Sequence, residues 1–127
     1  MSVSLTRLGP RAPVSLTPGG ALQFAGKIRD TALLISAAEV FAWAAATEDT
    51  RETDILGFLD TRETPGDFLL YGTGASLRFV SPAFARQIEK RGLGLETMDT
   101  AAACRTYNVL IAERRRFTAA LLPVSRG

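Results

Sequence analysis

The apolar positions of this chain come in short runs separated by Gly, Pro, Ser and Asp, which predicts strands and short helices rather than one long helix. Ala32 to Ile35 and Phe68 to Tyr71 are continuous apolar runs, the pattern of strands buried on both faces. Leu22, Phe24 and Ile28 are spaced to alternate inward along a half-exposed strand, with a turn or bulge near Gly26. "LGLETM" predicts another strand, and "RRFTAALLP" a last one stopped by Pro123.

Between these runs the pattern turns helical. From Ser36 to Ala46 alanine dominates, with Ser36 as cap, Glu39 three residues later as in a capping box, and Val40, Phe41, Trp43 and Ala44 as bulk against a sheet. "ETDILGFLDT" predicts a second short helix. Pro82 to Arg91 predicts another, with Ser81 as N-cap and Gly92 as C-cap. Asp99 or Thr100 caps a helix through "AAACRTYNVLIA", and Asp99 also faces the positive end of its dipole. Helices alternating with strands predict an α/β fold: a mixed, mostly parallel β-sheet with flanking helices, right-handed βαβ crossovers and an added β element from the hairpin-like start. Residues 1–20 hold three prolines and three glycines and read as a flexible N-terminal arm; residues 21–127 read as a single globular domain.

Composition narrows the chemistry. The chain is 46% hydrophobic and 22% charged, as expected of an ordered globular protein. Its net charge is +2, divided unevenly: residues 1–66 carry six basic and eight acidic side chains, residues 67–127 nine and five. That balance is too weak to predict a nucleic-acid partner. With no histidine and one cysteine, Cys104, the chain excludes an internal disulfide, a Cys-His metal cluster and a histidine general base. No metal or cofactor is expected. No apolar run reaches membrane-spanning length and no secretory signal is recognisable, so the expected location is the cytoplasm, with a peripheral place at a membrane through a partner.

Two places invite a site. "YGTGAS" offers Gly72, Thr73 and Gly74 as a loop whose N–H groups could face an anion, helped by Ser76 and Arg78. It lacks the phosphate-loop lysine, and Leu77 stands where a dinucleotide fingerprint needs its third glycine. A tight turn and a small-anion site both remain open. The second place is "DTAAACRTYN". Its alanines allow close approach to another backbone, and among Arg105, Tyr107 and Asn108 at least one should be partly buried and hydrogen-bonded. Cys104 has no histidine to activate it and reads as a packed thiol. Glu113 can be a base or a salt-bridge partner, and Arg114 to Arg116 a phosphate or acidic-partner contact or a solvated helix end.

The string "YGTG" at 71–74 and "LETMDTAAACRTYNVLIAERRRFTAALLP" at 95–123 resemble a family of small domains of uncharacterised function. That family includes mitochondrial complex I assembly factor 3 and bacterial and archaeal relatives. The resemblance covers most of residues 16–123 and is strongest over 93–123. It implies a three-layer fold around a mixed sheet. Its glycine loop falls on Gly72 and Gly74, its Asp-Thr pair on Asp99 and Thr100, and its polar cluster on Arg105, Thr106, Tyr107 and Asn108. Its glutamate and arginines fall on Glu113, Arg115 and Arg116. The family usually has glycine where this chain has Arg114, and valine where it has Phe117. No catalytic mechanism comes with the resemblance. The expected function is therefore a non-enzymatic interaction or assembly protein, linked through the family to respiratory complex I assembly. Its partner would be a complex subunit or assembly factor, and an exposed sheet edge would allow a homo-oligomer. The competing expectation is a small-ligand or anion-binding domain with weak enzyme activity, whose glycine loop faces the Thr100 helix across an open pocket.

Overall fold

Ala32 to Ile35 is buried at all four positions, and the sheet is built outward from it. The computed structural model describes residues 5–44 and 48–124. In chain order the elements are β1 (Leu5–Pro10), β2 (Val14–Leu16), β3 (Leu22–Phe24), β4 (Lys27–Arg29), β5 (Ala32–Ile35), β6 (Glu39–Trp43), α1 (Glu48–Asp60), β7 (Phe68–Gly72), α2 (Pro82–Lys90), β8 (Gly94–Met98), α3 (Thr100–Ala112) and β9 (Thr118–Leu121). A six-stranded sheet runs β1-β6-β5-β9-β7-β8, and β2-β3-β4 form a small second sheet.

The large sheet is mixed but mostly antiparallel, which corrects the mostly parallel expectation. β1 with β6, β6 with β5, and β5 with β9 are antiparallel; only β7 with β8 and β7 with β9 are parallel. The small sheet is antiparallel throughout. The difference begins at Ser36. Its hydroxyl oxygen accepts the N–H groups of Ala38 and Glu39, at 3.2 and 2.9 Å, as a cap would. Here it closes a hairpin turn, and Glu39 to Trp43 return along β5 as a strand instead of a helix. Tertiary pairing overrides alanine's helix propensity, because Val40 packs into one face of the sheet while Phe41 and Trp43 pack into the other. Residues 45 and 46 of the expected helix lie outside the described residues. The expected arm contains two of the strands, β1 on the sheet edge and β2 against α3; its residues 1–4 lie outside the described residues. Ile28 also departs from expectation: the chain folds back at Ala25 and Gly26, and Ile28 is exposed on β4.

Side chains alternate across β5, β7 and β9 to make two cores. Leu33, Ile35, Leu70, Ala119 and Leu121 face α3 and the small sheet, and meet Phe24, Ala103, Cys104 and Tyr107. Leu34, Leu69, Tyr71, Ala120 and Leu122 face α1 and α2, and meet Ile55, Phe58, Phe84 and Ile88. This is a three-layer arrangement with the sheet in the middle. The connection β7-α2-β8 steps outward across the sheet and β8-α3-β9 steps back. Right-handed crossovers therefore put α2 and α3 on opposite faces. Helix ends follow the sequence closely: the Ser81 oxygen accepts the Phe84 N–H at 3.1 Å, with Pro82 at the first helical position. Arg91 reaches from the end of α2 to Asp60 at the end of α1 in a two-bond fork of 2.8 and 2.9 Å, and this hydrogen bonding holds the Asp60 carboxyl below its usual pKa.

Candidate functional site

Thr100 opens α3 and is fully buried. Its hydroxyl accepts the Gly74 N–H at 2.8 Å and donates to the Leu122 carbonyl at 2.6 Å. Its own N–H donates to the Gly74 carbonyl at 2.9 Å. One side chain thus ties together the loop after β7, the start of α3 and the end of β9. Gly72 makes the approach feasible: a Cβ there would lie 2.9 Å from the Ala103 Cβ and 3.2 Å from the Thr100 Oγ1. The alanines of α3 are the surface that meets it.

Around this contact the polar groups are paired within the fold. The buried Thr73 hydroxyl donates to the Ser76 carbonyl at 2.7 Å and accepts the Arg78 N–H at 3.1 Å, which shapes the loop. Asp99 is the N-cap of α3 and accepts the Ala102 N–H at 2.8 Å. Two turns further along, the fully buried Tyr107 donates to the Ala12 carbonyl at 2.9 Å. Asn108 accepts the Val14 N–H at 3.0 Å and donates to the Val14 carbonyl at 2.8 Å, so its amide stands in for a neighbouring strand beside β2.

Burial raises the acid groups of this helix. The Cys104 thiol is pushed from 9.0 up to about 11 by desolvation, against the weaker pull of Arg105. Tyr107 is raised as well, again by burial first. A buried, protonated thiol is a poor nucleophile.

The remaining candidates point outward. Arg105, Glu113 and Arg115 are all exposed. Glu113 is the C-cap of α3, and Arg115 holds its guanidinium 5.8 Å from the Phe68 ring centre. Arg11 lies 5.2 Å from the Phe117 ring centre and donates to the Arg115 carbonyl at 2.9 Å. The structure therefore gathers Gly72, Thr73, Gly74, Asp99 and Thr100 in one contact and sets Tyr107 and Asn108 against residues 12–14. Arg105, Glu113 and Arg115 stay on the exterior. The glycine loop and α3 touch directly.

A concave surface does exist on the other face. A groove of about 490 Å³ lies beside the carboxyl end of β7, lined among others by Arg51, Glu52, Tyr71, Arg78, Phe79 and Ser81. Sequence reasoning named Arg78 as an anion contact but missed Arg51 and Phe79. The one available signal was an aromatic residue in a loop already marked by Gly74 and Pro82.

The family described as "protein of unknown function (DUF498/DUF598)" matches residues 14–122. The chain belongs to this DUF498/DUF598 family. An uncharacterised protein of Rhodobacter capsulatus is 35% identical over 105 residues, which is 83% of this chain and 79% of that protein. NADH dehydrogenase [ubiquinone] 1 alpha subcomplex assembly factor 3 of Danio rerio is 30% identical over 88 residues, 69% of this chain. The matched region spans 51% of that relative's length. Among solved structures, the Rpa2829 protein of Rhodopseudomonas palustris superposes with a TM-score of 0.76 at 29% identity, covering 92% of this chain and 87% of that one. Arg114, which follows Glu113, has a φ of +58°, in the left-handed region that favours glycine. The Arg114 N–H donates to the Ile111 carbonyl and the Arg115 N–H to the Leu110 carbonyl, both at 3.0 Å, the two bonds of a Schellman helix end. No helix among the described residues is long and apolar enough to cross a membrane.

Proposed function

We propose that this protein works by binding another protein, as a non-enzymatic interaction or assembly factor in the building of respiratory complex I. The observation that carries the reading is the 30% identity, over 69% of this chain, to the assembly factor of Danio rerio. The geometry supports it. Thr100, Tyr107 and Asn108, the buried and half-buried polar groups of the family's signature helix, bond to the protein's own backbone rather than to an open pocket. The partner is a complex I subunit or a second assembly factor, and it holds the protein at the membrane periphery.

Deletion of the gene in its source cell tests this. Assembled complex I on native gels should fall while its separate subunits persist. The tagged full chain should co-purify a complex I subunit or assembly factor. Normal complex I in the deletion, with no such protein recovered, overturns the assembly reading.

A further inference from the structure

We propose that two copies of this chain pair through the free edge of β8, antiparallel and across a two-fold axis at Leu95, with α2 of one copy beside α2 of the other. The inference goes beyond the assembly reading and does not depend on it.

The backbone supplies the first observation. β8 ends the large sheet, and among the described residues β7 is its only strand neighbour. The Gly94 N–H donates to the Asp67 carbonyl at 3.0 Å, and the Thr73 N–H donates to the Met98 carbonyl at 2.9 Å. Gly94, Glu96 and Met98 therefore turn their backbone groups toward β7. Leu95 and Thr97 alternate with them and turn theirs outward, off the edge of the sheet. Such an edge is a template for another strand.

The two edges of this sheet are not alike. β1, at the far side, carries Pro10 and a register shift between Arg7 and Gly9, two devices that discourage further pairing. β8 has neither. All five of its residues pair with β7 in unbroken register. Its single charge, Glu96, is the one obstacle to pairing with itself. A two-fold axis at Leu95 removes that obstacle, because Glu96 then falls opposite Gly94 of the other copy. The two Leu95 residues exchange both of their backbone bonds, and their half-buried side chains meet on the face that carries α2. The two six-stranded sheets become one.

Charge decides the occupant. A groove of about 360 Å³ lies beside this edge, lined among others by Arg86, Ile88 and Glu89 of α2 and by Leu93 and Leu95. Arg86 and Glu89 are exposed, and neither has an ion-pair partner among the described residues. One free charge of each sign, three residues apart beside an apolar floor, makes a surface that complements itself. Across a two-fold axis residue i meets j and j meets i, so Arg86 meets Glu89 of the other copy and Glu89 meets its Arg86. A uniformly acidic segment would face Glu89 with its own sign, and a uniformly basic one would face Arg86 likewise.

The test is sedimentation equilibrium of the full-length chain at low salt, from about 10 µM to about 1 mM. Wild type should show a reversible monomer–dimer equilibrium. Arg86→Glu and Glu89→Arg should each weaken it about tenfold or more, because each homodimer then sets like charges together twice. Mixing the two variants should restore dimerisation, since the mixed dimer regains both opposite-charge pairs. Thr97→Pro removes an outward N–H at an edge position that tolerates proline, and should abolish the dimer with the circular dichroism spectrum unchanged. If Thr97→Pro loses its fold, the charge exchange alone carries the comparison. A wild type that stays monomeric throughout overturns the pairing and leaves this edge to a strand of a different protein. Single variants that dimerise as wild type does, or a mixture no tighter than its components, overturn it equally.

Discussion

Thr100 and Gly74 are bonded to each other twice: the Gly74 N–H donates to the Thr100 hydroxyl, and the Thr100 N–H donates to the Gly74 carbonyl. The same hydroxyl holds the Leu122 carbonyl. Thr100→Val keeps the shape and removes the hydroxyl, leaving a buried donor and an acceptor without this partner. It should destabilise the protein by about 2–4 kcal/mol in urea unfolding. Thr100→Ser keeps both bonds and loses one methyl, at about 1 kcal/mol.

Gly72 sits under α3 with no room for a side chain, and the nearest atom is the Cβ of Ala103. Gly72→Ala should cost about 1–3 kcal/mol by overpacking. Ala103→Gly in the same molecule should return part of that loss, visible as a favourable coupling in a double-mutant cycle. Strict additivity would mean that the two positions do not press on each other.

Arg114 stands at the end of α3 where Gly92 stands at the end of α2. Gly92 has a φ of +74° and Arg114 one of +58°. Both helix ends close with the same pair of backbone bonds, Gly92 to Glu89 with Leu93 to Ile88, and Arg114 to Ile111 with Arg115 to Leu110. A residue with a Cβ pays a steric penalty in this region that glycine does not. Arg114→Gly should therefore stabilise the protein by about 1 kcal/mol, and Gly92→Ala should destabilise it by a similar amount. Thermal unfolding of the two variants against wild type checks both signs.

Cys104 predicts a pH dependence. Its folded pKa, about 11, lies above the ordinary 9.0, so the unfolded chain releases the proton first. The native advantage is complete below pH 9 and is lost as pH rises toward 11. Tyr107, also raised by burial, extends the decline to still higher pH. Cys104→Ala should flatten the portion that starts near pH 9. Iodoacetamide at pH 8 should label Cys104 at the rate of opening of the fold, far more slowly than a free thiol.

What the sequence made readable was local. The helix caps depend on neighbours within a few residues: the Ser81-Pro82 start of α2 appears as expected, Asp99 is the one of the two cap candidates that caps α3, and α2 ends at Lys90 with Arg91 as C-cap and Gly92 just beyond it. The apolar run Ala32 to Ile35 states its own burial. Glu39 to Trp43 failed for the opposite reason: local alanine content favours a helix, but β5 and the distant β1 supply strand partners on both sides. The candidate site behaved likewise. Residue types flagged Arg105, Tyr107 and Asn108 as polar groups of which at least one needs a partner, and Thr100 as a candidate cap; the structure pairs Thr100, Tyr107 and Asn108 and leaves Arg105 exposed. The partners, Leu122, Ala12 and Val14, lie 22, 95 and 94 residues away, and two of them fall in a segment that composition marks as an arm.

The central claim is that the polar string of α3 closes the fold and does not line a site. Amide hydrogen exchange of the free, full-length protein tests it most directly at Gly74 and Val14, whose N–H groups donate to Thr100 and Asn108. Both amides should be protected to the level of the β7 core and exchange only with global opening, while Ala75 and Ser76 exchange quickly. Gly74 and Val14 exchanging as fast as Ala75 would contradict the account and show that the bonds to Thr100 and Asn108 do not hold these segments closed.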